Sequence, residues 1–187
     1  MSEQSHHLTH LDESGNIRMV DVTSKEVTLR EALAKARIRM EPQTVHLIET
    51  NQVAKGNVLE VAKIAAIMAA KQTPQLVPLC HPLPMTHIDV QFSLDSVRGI
   101  VHIEARTRVT YKTGVEVEAL TAALIAALTL YDMVKGVDHT VPLEQASIAQ
   151  KTGGKSGIVE FDPEERRARR PTRTWLSSRY PKIIHHE

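Results

Sequence analysis

Ile88-Asp-Val-Gln-Phe-Ser-Leu-Asp95, then Ser96-Val-Arg-Gly99, then Ile100-Val-His-Ile-Glu-Ala-Arg-Thr-Arg-Val109 is the stretch that decides the fold. Ile88, Val90, Phe92 and Leu94 alternate with polar residues, and Val101, Ile103, Ala105 and Val109 resume the same period of two. Successive side chains of a strand point to opposite faces, so each run buries one face and wets the other. Two such runs joined through Arg98-Gly99 read as an antiparallel hairpin, glycine supplying the positive φ that a tight turn demands.

Outward from the hairpin the period changes to that of a helix. Asn57–Lys71 has a capping residue in Asn57, Glu60 at the capping-box position and Pro74 just beyond its end. Val115–Lys135 reads as a second helix, with Thr113 and Glu116 as a further capping box. It is apolar on nearly every side, which predicts burial in a core or a subunit interface. Val141–Ala149 reads as a closing strand. Thr28–Met40 admits two readings: Ala32, Ala34, Ala36, Ile38 and Met40 alternate as in a strand, whereas Leu29, Leu33, Ala36 and Met40 form a helical stripe behind a Thr28/Glu31 capping box. As a strand it completes the order strand, helix, hairpin, helix, strand, the split βαβ pattern of a ferredoxin-like α+β sandwich with helices packed on an antiparallel sheet.

At 187 residues the chain suits one domain with a single core: a flexible segment 1–20, a body 21–160 and a charged extension 161–187. Seven of the 23 Lys and Arg but only four of the 22 Asp and Glu follow Phe161, so the body is slightly acidic. With aromatics at 3% and few of them in the body, both the electrostatic and the stacking case for nucleic acid fail. The apolar run Ala119–Tyr131 is too short for a bilayer of about 30 Å, which predicts no membrane span. Met1–His10 lacks the basic-then-apolar pattern of a secretory signal, and the lone Cys80 fits a reducing cytoplasm. In the extension, Glu164–Arg170 is helix-compatible, and Trp175 and Tyr180 suit either a disordered tail or one docked on a neighbouring subunit.

Four polar motifs carry the chemistry. Lys151-Thr-Gly-Gly-Lys155-Ser-Gly157 sets glycines, which let backbone N–H groups approach an anion, between two lysines. It is not a P-loop, because the leading glycine of that pattern would fall on Ala149; a linker is the plain alternative. Leu79-Cys80-His81-Pro82 lies in a proline-stiffened segment that presents His81, and it lacks the further ligands a metal site needs. In Lys112-Thr-Gly-Val-Glu116-Val-Glu118, Glu116 suits a cap, and Glu118 could accept hydrogen bonds from a guanine-like edge. Asp132 and Lys135 share a helix face at i, i+3; after so apolar a run, partial burial and a lowered lysine pKa are expected. Lys55-Gly56 offers one more cation in a loosened turn.

Met19-Val-Asp-Val-Thr23, Lys55-Gly56, Pro78-Leu-Cys-His-Pro82, Lys112-Thr-Gly-Val-Glu-Val-Glu118, Tyr131-Asp-Met-Val-Lys135 and Lys151–Gly157 occur in that order. Together, from about Leu8 to Gly157, they resemble the cyclic pyranopterin monophosphate synthase family of molybdenum cofactor biosynthesis. The resemblance implies that a cyclised dihydroguanosine triphosphate, made from GTP by a radical partner enzyme, is rearranged to a pyranopterin with a cyclic phosphate as pyrophosphate leaves. It implies a ferredoxin-like subunit in a homohexamer, a trimer of dimers with sites at subunit interfaces, and so favours Thr28–Met40 as a strand. By motif position it implies Asp132 as active-site residue, with Lys135 and Lys55 in acid–base work. Leu79, Cys80, His81, Val117 and Glu118 fall to substrate binding, and Lys151 and Arg30 to the phosphates; Glu116 and Lys155, in the same two motifs, are added as candidate substrate-binding residues. It implies no redox or organic cofactor and no protein-held metal, with Mg2+ a possible companion of the triphosphate. The residues alone leave two rivals: a non-catalytic nucleotide-binding module, and a metal binder using Cys80, His81, His87 and the terminal histidines.

Overall fold

In a computed structural model, residues 14–161 are described. The elements are β1 (Thr28–Arg39), α1 (Pro42–Glu49), α2 (Val58–Lys71), α3 (Thr73–Leu76), β2 (His87–Asp95), β3 (Ile100–Tyr111), α4 (Glu116–Val134), β4 (Leu143–Thr152) and β5 (Val159–Glu160), with a 3-10 turn at Gly154–Ser156. The sheet is antiparallel throughout in the order β2-β3-β1-β4-β5. The ferredoxin-like core is β1, α2, β2–β3, α4 and β4; the short α1, α3 and β5 are additions that the sequence reading lacked. The extension with Glu164–Arg170, Trp175 and Tyr180, the terminal histidines and most of segment 1–20 lie outside the described residues.

Within Thr28–Met40, Thr28–Arg39 is a strand because its neighbours offer more than a helix could. Ala34 sits between Ala105 of β3 and Ile148 of β4, and β1 is hydrogen-bonded along both edges. Ala32, Ala34, Ala36, Ile38 and Met40 are buried, whereas Leu29, the head of the helical stripe, is 56% exposed. Burial of the alternating set overrode local helix propensity.

Alanines line both sides of the helix–sheet contact. Ala119, Ala122, Ala123, Ala126 and Ala127 of α4 are sealed, as are Ala62, Ala66 and Ala70 of α2, which packs on α4. Small residues let the backbones approach closely, so additional methylenes would overpack the contact. α4 spans nineteen residues, longer than the apolar run suggested and by length and composition enough to cross a membrane. Its sealed face lies instead against β1, β3 and α2, and the buried carboxyl of Glu118 opens it.

The turns follow the local chemistry. Gly99 has φ +67°, and a Cβ there would stand 2.1 Å from the Met40 carbonyl oxygen. Asn57 caps α2, its Oδ1 accepting from the Glu60 N–H at 3.2 Å. The expected Thr113/Glu116 capping box is absent: the N-cap is Val115, which makes no side-chain cap, and Glu116 turns to a lysine instead.

Candidate functional site

α4 divides the candidate residues between its two ends. At the C-terminal end the last carbonyls lack intrahelical partners and the helix dipole is negative, so cations gather. Lys55, on the turn before α2, donates its Nζ to the Asp132 carbonyl oxygen at 2.6 Å and lies 3.9 Å from Asp132 Oδ2. Lys135 Nζ meets Asp132 Oδ1 at 2.6 Å. The hydrogen bond from Lys135, reinforced by the charges of Lys135 and Lys55, holds the Asp132 carboxyl below its ordinary range. The hydrogen bond to Asp132 raises the Lys135 ammonium above its own. This corrects the expectation of a partly buried lysine with lowered pKa: side-chain exposure is 50% for Lys135 and 58% for Asp132, so the carboxylate and not burial sets the ammonium's acidity. The group is a carboxylate and an ammonium joined by one hydrogen bond, with a second cation beside them.

The N-terminal end faces the loop between α3 and β2. Cys80 and His81 are half-buried there, with Leu79 beside them on the cavity wall. The Cys80 thiol donates to Glu118 Oε1 at 3.4 Å. Glu118 is 2% exposed, and its Oε2 has no partner among the described residues. Burial pushes its carboxyl pKa up. Burial, and then the Glu118 charge, push the Cys80 thiol up to about 12, so the sulfur stays a donor rather than a nucleophile or metal ligand. Glu116 Oε1 pairs with Lys151 Nζ at 3.2 Å. Gly114 makes room for that side chain, since a Cβ at 114 would lie 1.9 Å from Glu116 Oε2.

Two adjoining cavities open here and share Gly114 and Glu116. The larger, about 380 Å³, is walled by Leu79, Cys80, His81 and Val117 from the expected segments, and by Val20, Val22 and Lys25. Those last three went unremarked as site residues; the ordered motif Met19–Thr23 was the signal that could have flagged Val20 and Val22, and Lys25 lies two residues beyond it. The smaller, about 60 Å³, is bounded by Arg30, Lys151 and Gly153. Arg30 donates Nη2 to the Lys112 carbonyl oxygen at 3.5 Å, and its Nε is buried without a partner. Gly153 and Gly154 lie against Arg30: a Cβ at 154 would fall 1.9 Å from its Nη1. The glycine-rich motif therefore makes space for a guanidinium. Lys155 is exposed on the 3-10 turn and lines neither cavity.

The fold thus brings Glu116, Glu118, Cys80, His81, Lys151 and Arg30 to one region, and Asp132, Lys135 and Lys55 to another. Fourteen residues of helix at about 1.5 Å each place Asp132 roughly 20 Å from Glu118 along α4. Among the described residues no three His, Cys, Asp or Glu side chains converge as metal ligands would.

The chain is 54% identical over 158 residues to the cyclic pyranopterin monophosphate synthase of Pelotomaculum thermopropionicum, covering 84% of this chain and 93% of that protein. It is 53% identical over 150 residues to that of Parvibaculum lavamentivorans, covering 80% and 94%. With the Chloroflexus aurantiacus protein of the same name it shares 52% over 157 residues, covering 84% and 96%. The sequence profile of the MoaC family spans residues 19–154, and so every candidate site residue but Lys155. By that match and by these identities, the chain belongs to the MoaC family.

Proposed function

We propose that the chain is a cyclic pyranopterin monophosphate synthase of molybdenum cofactor biosynthesis. It converts the cyclised dihydroguanosine triphosphate into cyclic pyranopterin monophosphate and pyrophosphate, which makes it a phosphorus–oxygen lyase. The observation that carries the geometric side of this reading is the Asp132 carboxylate held between two lysines, 2.6 Å from the ammonium of Lys135. Opening the purine-derived ring and closing a pyran require protons to be taken and given, and pyrophosphate leaves only when its charge is neutralised. Asp132 is the base, Lys135 the acid, and Lys55 the second cation.

The cavity at the other end of α4 suits the rest of such a substrate. Val20, Val22, Leu79 and Val117 offer apolar walls for a flat ring. Glu118, sealed and with one oxygen free, suits the N–H edge of a guanine-derived ring. Arg30 and Lys151 border the smaller cavity, where phosphate oxygens fit. Lys155, exposed nearby, serves as an outer cation for the phosphate chain. Mg2+ enters, where needed, with the triphosphate.

The roughly 20 Å between the two groups exceeds the reach of one substrate within one chain. This supports a site assembled from two chains, as in a homohexamer built as a trimer of dimers, with the substrate supplied by a radical enzyme in the cytoplasm. Turnover is the test: purified protein given the cyclised dihydroguanosine triphosphate should release pyrophosphate and pyranopterin in equal amounts. Absence of both products, with the substrate recovered intact, would refute the reading.

A further inference from the structure

The turn that follows α4 carries Lys135 at the helix C-cap and is exposed at Lys135, Gly136, Val137, His139 and Thr140. Within it Asp138 alone is buried, at 5% exposure. Asp138 Oδ2 accepts from the Glu41 N–H at 2.8 Å, and its Oδ1 accepts from the Thr140 N–H at 3.2 Å. Glu41 is the N-cap of α1 and makes no side-chain cap of its own, so a carboxylate 97 positions away stands at the positive end of that helix. The Asp138 backbone is fastened as well, its N–H donating to the Val134 carbonyl oxygen at 3.0 Å. A Cβ at Gly136 would meet nothing within 4 Å, so packing does not hold the turn there; the Asp138 carboxylate does.

Glu41 and Asp138 lie on the two segments that carry the candidate lysines. From Glu41 the chain runs through α1 toward Lys55: Gln52 N–H donates to the Leu47 carbonyl oxygen at 2.8 Å, Val53 is buried, and Gly56 N–H donates to the Val53 carbonyl oxygen at 2.9 Å. Lys55 then reaches the Asp132 carbonyl oxygen at 2.6 Å. Asp132, Lys135 and Asp138 follow one another at the end of α4, and the Asp138 carboxylate closes the path back to Glu41. The backbone under each lysine is thereby fixed, leaving only side-chain rotations free. That matters because a misplacement of about 1 Å costs a reacting group about 10²-fold in rate. We propose that Asp138 is a positioning residue for the reaction, clamping the end of α4 to the start of α1 so that Lys135 and Lys55 are both held against Asp132. This rests on the function proposed above and adds to it a residue that acts through Lys135 and Lys55.

The test uses the full chain with Asp138→Ala, Asp138→Asn and Glu41→Pro, each confirmed as folded by circular dichroism at the assay temperature. Asparagine keeps an oxygen for the Glu41 N–H. Proline suits the φ of −60° and ψ of 140° at Glu41 but removes that N–H. Asp138→Ala and Glu41→Pro should lower kcat by about tenfold or more with KM within about twofold, because the cavity at the other end of α4 is untouched. Asp138→Asn should recover most of the loss. Labelling with acetic anhydride, read by mass spectrometry, reports the ammonium directly. Released from Asp132, Lys135 should acetylate about threefold faster or more in Asp138→Ala and Glu41→Pro, while Lys63, paired with Glu60 on α2, stays unchanged. A role in stability alone would lower the thermal midpoint but leave kcat and the Lys135 labelling rate where they were, and that result would overturn the proposal. So would a loss in Asp138→Ala that Asp138→Asn does not reduce. If Asp138→Ala does not fold, Glu41→Pro decides by the same two readings. If the unmodified protein turns over nothing, the function fails separately and the labelling rates decide the clamp: faster at Lys135 supports it, and unchanged overturns it.

Discussion

Glu118→Gln makes the burial of one carboxyl measurable. Glu118 is 2% exposed, its Oε1 accepts from the Cys80 thiol, and its Oε2 has no partner among the described residues. Burial raises its pKa in the folded chain above the unfolded value of 4.5. For an acid shifted upward, the folded state keeps a proton that the unfolded state has already lost. The native contribution is therefore intact below pH 4.5 and is lost as pH rises through the folded pKa. Glutamine keeps the shape and the acceptor facing Cys80 but does not titrate. The stability of Glu118→Gln relative to the unmodified protein should thus climb by about 1.4 kcal/mol per pH unit over that window, the slope for one proton, and then level off. With a urea dependence of about 2 kcal/mol per M, the midpoint difference should grow by roughly 0.7 M per pH unit. Urea titrations from pH 4 to pH 8 at one protein concentration would reveal it. A midpoint difference that stays constant across the range would refute the claim that a buried, unpaired carboxyl sits at this position. The same variant should bind substrate more weakly, since it presents an amide where the N–H edge of the ring needs an acceptor.

Three further outcomes are expected. Lys55→Ala and Lys135→Ala should each lower kcat by about 10²- to 10⁴-fold in single-turnover assays, the range of a positioned proton donor; full activity in both would remove the lysines from the chemistry. Because Asp132 is held below its ordinary range and Lys135 above its own, the pair should contribute no limb to the kcat/KM profile between about pH 5 and pH 9, and Lys135→Met should bring the Asp132 limb upward in pH. Gly99→Ala meets both a positive φ and the Met40 carbonyl 2.1 Å from the new Cβ, so it should cost about 2 kcal/mol or more and lower the thermal midpoint by several degrees.

Much of the architecture was readable because its signals are local. The period of two in Ile88–Val109 survives as β2 and β3 joined at Gly99, and Asn57 caps α2 as its position implied. Motif order pointed to the family, which the identities bear out. Other features rest on groups distant in the chain and carry no local mark. Lys112 meets Thr23 across 89 positions, Lys55 meets Asp132 across 77, and Cys80 meets Glu118 across 38.

By itself the sequence determined the hairpin, the two long helices and the identity of the polar groups, since these follow from periodicity, capping chemistry and residue type within a few positions. Only the tertiary structure decided the conformation of Thr28–Met40, where hydrogen bonds to β3 and β4 on both edges outweigh an equally good helical pattern. It also decided the charge states. The apolar run before Asp132 suggested a buried, weakened ammonium, but the helix ends at the surface and Lys135 keeps its proton through the carboxylate beside it. Glu118, fourteen positions earlier on the same helix, is the group that is sealed. Burial depends on what packs against a residue, and that is settled by distant segments of the chain rather than by its neighbours in sequence.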